Sequence, residues 1–345
     1  MNITFLIGNG YDVNMGMKTK YSQFYPYFIE NASKDNMIRR MIIEDEGEPE
    51  LWADLERRLG QKTCDVKVNE LEKFIYDKAE LINLLSDYLD IQEKKIIDNL
   101  DEYKEEFKRS ICSFYKGLQP EYKETVIRLL NKHMNNSRRY NFVIYNYTHI
   151  IDSMSEMYPD KIIGKHHAVN RSIVNDSLSD ILHIHGTTDE SMILGVDNTS
   201  QLENEELVHN NRFRQVMIKT ELNSESGYPR TKTAKGIIQN SNIIVIYGMS
   251  LGETDQQWWS EIITWLSKDA ERVLIICKYT EDTRLLTISP ERRITSNNDV
   301  INYFSKYAPE KIPDEVLQGI QKRIFVTYDP KLFMFNSHDK SIGDS

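Results

Sequence analysis

Four short segments carry residue types and spacings able to do chemistry, and each follows an apolar run. The first is Gly8-Asn9-Gly10-Tyr11-Asp12 with Gly16. The second is Asn146-Tyr147-Thr148, and the third is His183-Ile184-His185-Gly186. The fourth is Tyr247-Gly248-Met249-Ser250-Leu251-Gly252, followed by Asp255. Two glycines spaced one apart after a strand let backbone amides approach a diphosphate with no Cβ in the way. The helix that follows adds the positive end of its dipole. The spacing departs from GxGxxG, because Gly16 stands six residues beyond Gly10. A plain tight turn uses glycine in the same way, so the reading depends on the other three segments.

The Asn146 amide offers one acceptor and two donors, which suits a water or ribose hydroxyls. Its bland role is to cap a helix over 148–157, and Thr148 is an equal candidate for that cap. Ser250 and Asp255 also read as helix-start residues, while Gly248 and Gly252 fit a close approach to a ligand. His183 and His185 alternate along an expected strand and should share a face. Paired histidines suit a metal, but no third ligand stands at a fixed spacing, so no metal is expected. The simpler expectation is a packed, hydrogen-bonded His183 and a His185 freed by Gly186 to face a cleft. There an imidazole serves as a general base near neutral pH.

These residues need a scaffold that gathers strand ends. Apolar runs at 3–7, 141–145, 181–185, 192–195, 242–247, 272–277 and 323–327 read as strands, several of them buried on both faces. Helical patterns alternate with them, as at Trp258, Trp259, Ile262, Ile263, Trp265 and Leu266. That alternation predicts an α/β, Rossmann-like parallel sheet with helices on both faces, whose ligands bind outside the carboxyl ends of the strands. Residues 61–116 contain no Gly or Pro and repeat apolar residues at helical spacing. Residues 20–138 are therefore expected as a large helical insertion after strand 1, and 1–19 with 139–335 as the nucleotide-binding domain. The insertion offers a face for a second copy or for a partner protein. Residues 196–235 are polar and poorly patterned, which fits a mobile flap over a site, the favoured reading, or a long surface excursion, and the tail beyond 335 is expected to fray.

The composition bounds the function. With 345 residues the chain is long enough for one or two domains. A net charge of −10 disfavours a nucleic-acid partner. No apolar run is long enough to span a membrane, and the start shows no signal-peptide pattern. Three scattered cysteines, Cys64, Cys112 and Cys277, fit a reducing cytoplasm and rule out a four-cysteine zinc ribbon.

Taken in order, the segments resemble the AbiH family of bacterial abortive-infection proteins. The resemblance is carried by residues 8–16, Trp52-Ala53-Asp54-Leu55-Glu56, Asn146-Tyr147-Thr148, His183-Ile184-His185-Gly186 and residues 247–255. More distantly they are similar to the sirtuin fold. There the glycine turn, the asparagine, the His-Gly pair and a late glycine-serine element match Gly8-Asn9-Gly10, Asn146, His185-Gly186 and Gly248-Met249-Ser250. Asp12 and Lys18 depart from the sirtuin pattern, and the zinc ribbon is missing. Sirtuin-like proteins of bacterial defence also lack that ribbon, and they degrade NAD. The resemblance implies a phage-defence effector that takes NAD as substrate and hydrolyses its nicotinamide–ribose bond. His185 and Asn146 would be catalytic. Gly8, Asn9, Gly10, Asp12, Gly16, Thr148, Gly248, Ser250 and Asp255 would hold the nucleotide. The competing reading is a module that senses a nucleotide without turning it over.

Overall fold

β1 (Asn2–Ile7) begins the chain almost at once and becomes the centre of the sheet. The other strands are β2 (Arg139–Ile144), β3 (Ile162–His167), β4 (Ile173–His183), β5 (Ile243–Tyr247), β6 (Val273–Cys277) and β7 (Ile324–Thr327). Their order is β3-β4-β2-β1-β5-β6-β7. The structure is a computed structural model that describes residues 1–45, 49–225, 227–280, 283–328 and 331–335. The expected fraying beyond 335 lies outside the described residues.

Every pairing in the sheet is parallel except that of β3 with β4. The period-2 pleat explains how apolar strands serve two cores. Phe5, Phe142, Ile144, Val245 and Ile275 point to one face. Leu6, Val143, Ile246, Leu274 and Ile276 point to the other. The first face is covered by the helices Lys104–Cys112, Pro120–Lys132 and Ile150–Glu156. The second is covered by Arg230–Gln239, Gln256–Ser267 and Asp314–Gln321. Trp259 and Trp265 are fully buried there, and burying an aromatic side chain of this kind stabilises by about 3 kcal/mol. The Rossmann-like α/β architecture is thus present, with helices on both faces.

A separate apolar core joins the helices Tyr21–Asn31, Met37–Glu44, Leu55–Lys62 and Leu71–Ile97 to Leu194, Val196, Leu207, Phe213 and Ile218. The front of the insertion therefore packs with a distant part of the chain. Its rear, from Leu100 to Leu130, packs on the sheet. Among the described residues no helix is long and apolar enough to cross a membrane.

Two expectations about elements are corrected. Residues 192–195 form no strand; the neighbouring Val196 makes only a single parallel bridge to Ile218. The flap expected at 196–235 is instead packed structure, with helices Asn211–Met217 and Lys219–Glu225 and Phe213 and Met217 fully buried. Of the hairpin β3–β4 only the end of β4 was read, as part of the strand expected at 181–185. The hairpin is an edge, rich in polar residues such as Lys165, His166, Asn175 and Asp176. Only the second half of β4 pairs with β2.

Candidate functional site

The carboxyl ends of β1, β2 and β5, with the turn after β4, open onto a cavity of about 710 Å³. Its wall includes Gly8, Asn9, Asp12, Asn146, His185, Gly248, Ser250 and Asp255. Three of the four segments read from the sequence thus meet the fourth in one crevice. Gly10, Gly16 and Thr148 do not line it.

Asp12 sits on a single helical turn, Gly10–Asn14, directly after β1. It is 1% exposed. Asn146 Nδ2 donates to its Oδ1 at 2.7 Å and Thr148 Oγ1 to its Oδ2 at 2.8 Å. Burial pushes the Asp12 carboxyl up to about 6, against the pull of those two bonds. Thr148 therefore holds a carboxylate from outside the cavity wall. Asn146 keeps its own carbonyl Oδ1 buried and without a protein partner among the described residues, and a buried acceptor of this kind calls for a partner.

His185 is enclosed. Its ring lies edge-on to Tyr145, with centroids 5.5 Å apart, and its Nε2 is 3.5 Å from Asp255 Oδ1. Burial, helped by the nearby Lys219 charge, lowers its pKa to about 3, so the imidazole is neutral across the physiological range. The chain can turn immediately after it only because residue 186 is glycine. Gly186 has φ +77, and a Cβ there would lie 2.2 Å from the Ser191 carbonyl oxygen.

His183 does not share this space. Its Nε2 lies 2.7 Å from Asp152 Oδ2, beside His149, in a second cavity of about 540 Å³. The regular pleat ends at His183, so the alternation expected to put both histidines on one face does not reach His185. In that second cavity Glu93 and Asp189 hold His149 up at about 9.

Of the diphosphate cradle expected of Gly8, Asn9 and Gly10, the two glycine amides are already bonded. The Gly8 amide donates to Tyr247 O at 3.0 Å and the Gly10 amide to Gly248 O at 2.8 Å. A Cβ on Gly10 would meet Gly248 Cα at 2.5 Å. These glycines let the turns after β1 and β5 pack backbone to backbone. Gly16 serves a turn with φ +88 in open space.

Lys219 and Glu56 were missed as chemistry. Lys219 Nζ reaches Glu56 Oε2 at 2.6 Å, Asp255 Oδ1 at 3.0 Å and Thr254 O at 3.1 Å, which uses its three donors. Burial opposes its charge, but Asp255 and Glu56 together hold the ammonium well above its usual range. One cation serves two carboxylates. Asp255 overcomes its burial through Lys219 and stays low, whereas burial carries Glu56 up to about 7. Glu56 stood in the Trp52-Ala53-Asp54-Leu55-Glu56 segment, and its place beside the apolar Leu55 and Leu59 was the available signal. Lys219 lies in the stretch read as a flap, where nothing in the local pattern distinguishes it.

The family model described as Bacteriophage abortive infection AbiH matches residues 4–277. No curated protein matches the sequence.

Proposed function

The chain belongs to the AbiH family of bacteriophage abortive infection proteins, which assigns it a part in phage defence, and we propose that it plays that part by binding NAD and hydrolysing the nicotinamide–ribose bond. The observation that carries this reading is the cavity at the strand ends, lined together by Asn146 with its unpartnered carbonyl, by Asp12 and by the neutral His185. Its volume falls within the range of small-molecule sites. The likeness of Asn146 and His185-Gly186 to the sirtuin elements points to NAD among nucleotides.

Breaking the bond develops positive charge on the ribose, as in glycoside hydrolysis. Water attacks the anomeric carbon while the carbon–nitrogen electron pair leaves with the nicotinamide, which departs neutral. The water sheds one proton. Asp12 is the base on this reading, because a base works best with a pKa near the operating pH, and about 6 is far closer to that than the value of about 3 at His185. Asn146 holds Asp12 through Nδ2 and presents Oδ1 to the attacking water. His185 contributes a neutral imidazole toward the ribose hydroxyls and not the proton-accepting role expected from its sequence position.

Chromatography of NAD incubated at high protein concentration tests this. Wild type should release nicotinamide and ADP-ribose in equal amounts. Asn146→Ala and Asp12→Asn should each slow release by about 10²-fold or more. Unchanged release by Asn146→Ala would overturn the site. The depressed basicity of His185 favours a second reading, ligand binding without turnover, which predicts NAD bound but intact.

A further inference from the structure

With the Gly8 and Gly10 amides committed to backbone pairing, a dinucleotide in this cavity draws on other donors for its diphosphate. We infer that the diphosphate binds at the N-terminus of the helix Tyr21–Asn31, held by Thr19, Lys20 and the first free amides of that helix. This inference rests on the nucleotide reading of the cavity.

Thr19, Lys20, Tyr21 and Ser22 all line the cavity. Lys20 is the extended residue that opens the 11-residue helix, with φ −68 and ψ 142. Its carbonyl accepts from the amides of Gln23 at 2.9 Å and Phe24 at 3.2 Å. The Tyr21 and Ser22 amides ahead of them have no partner among the described residues. Such amides, with the dipole behind them, suit an anion. A second observation is independent of the helix. Thr19 is 7% exposed, and its Oγ1 has no partner among the described residues. A buried hydroxyl in a cavity wall calls for a polar ligand. Asn9 Nδ2 donates to Thr19 O at 2.9 Å, so the turn after β1 fixes the threonine.

Charge favours Lys20 over Lys219 as the partner of an anion. Asp12, Glu50, Asp54, Glu56 and Asp255 line it, against Lys20 and Lys219. Lys219 is spent on Glu56 and Asp255, so an anion beside it would meet two carboxylates. Lys20 is exposed and has no carboxylate partner among the described residues. The cationic nicotinamide ring of NAD suits the acidic wall and its diphosphate suits Lys20, which gives the dinucleotide one orientation.

Titration calorimetry on the full chain with ADP, adenosine and pyrophosphate tests the assignment. NAD is titrated alongside them, and wild type should bind ADP. Thr19→Val, which keeps the side-chain shape, and Lys20→Ala, at an exposed position, should each weaken ADP by about tenfold or more, the scale of a hydrogen bond to a charged group. Adenosine should bind both variants as it binds wild type. Variants that melt with wild type yet keep full ADP affinity would overturn the subsite and leave the nucleotide reading standing. Wild type that binds neither ADP nor NAD would overturn both. Pyrophosphate binding as tightly as ADP would overturn the nucleotide as the source of the phosphates.

Discussion

Asp12 carries its charge with two neutral donors and deep burial, a balance that makes it pH-sensitive. Its native pKa of about 6 lies above the ordinary carboxyl value of 3.8. Between those values the native state keeps a proton that the unfolded chain has released. Stability contributed by Asp12 therefore falls as pH rises through that window and is level above it. A shift of this size is worth about 3 kcal/mol. Urea unfolding should show Asp12→Asn gaining about 3 kcal/mol on wild type between about pH 4 and about pH 7; identical pH dependence in the two proteins would contradict the burial. At this scale the sequence was informative where a residue directly follows an apolar strand, as Asp12, Asn146 and His185 do. It was silent where the partner is supplied only in space. Lys219 has no local mark, and the use of Thr148 as a support for Asp12 depends on a neighbour 136 positions away. His185 was legible in place but not in chemistry, since its basicity follows from an enclosure no local pattern reveals.

At the scale of elements, the turns after β1 and β5 are locked together by glycine. Gly248 has φ +70, and a Cβ there would lie 2.7 Å from the Tyr11 nitrogen. Gly10 faces it just as closely, whereas Gly16 needs only its positive φ and meets nothing within 4 Å. Gly16→Ala should therefore cost about 1–2 kcal/mol, the penalty of a left-handed backbone. Gly10→Ala should cost more, because backbone has to move. Thermal melts of the two variants check the order, and equal losses would mean that the turns are not in tight contact. The central strands were readable because strands buried on both faces are almost continuously apolar. Most of the edge hairpin β3–β4 was not, because an edge tolerates polar residues on both of its strands. Residues 196–235 misled for a related reason. Their few apolar anchors, among them Leu207, Phe213 and Met217, are spaced for packing against helices that lie far away in sequence.

Across the whole molecule the cavity is a joint product of two cores. The sheet and its connecting turns supply Asp12, Thr19, Asn146, His185 and Asp255, the front of the helical insertion supplies Lys20 and Glu56, and the helix Lys219–Glu225 closes the wall with Lys219. The inner face of the insertion is thus used for its own core and for the site. Tyr76, 72% exposed, is an outward apolar residue there, and single residues of that kind do not mark a partner face. What the account requires is that one small molecule touch both parts at once. A crystal structure of the Asp12→Asn protein with NAD measures this directly. The account predicts the dinucleotide in the strand-end cavity, with its nicotinamide ribose beside Asn146 and its diphosphate on the amides of Tyr21 and Ser22. Saturating NAD that leaves this cavity without ligand density, or that binds instead beside His149 and His183, would contradict it.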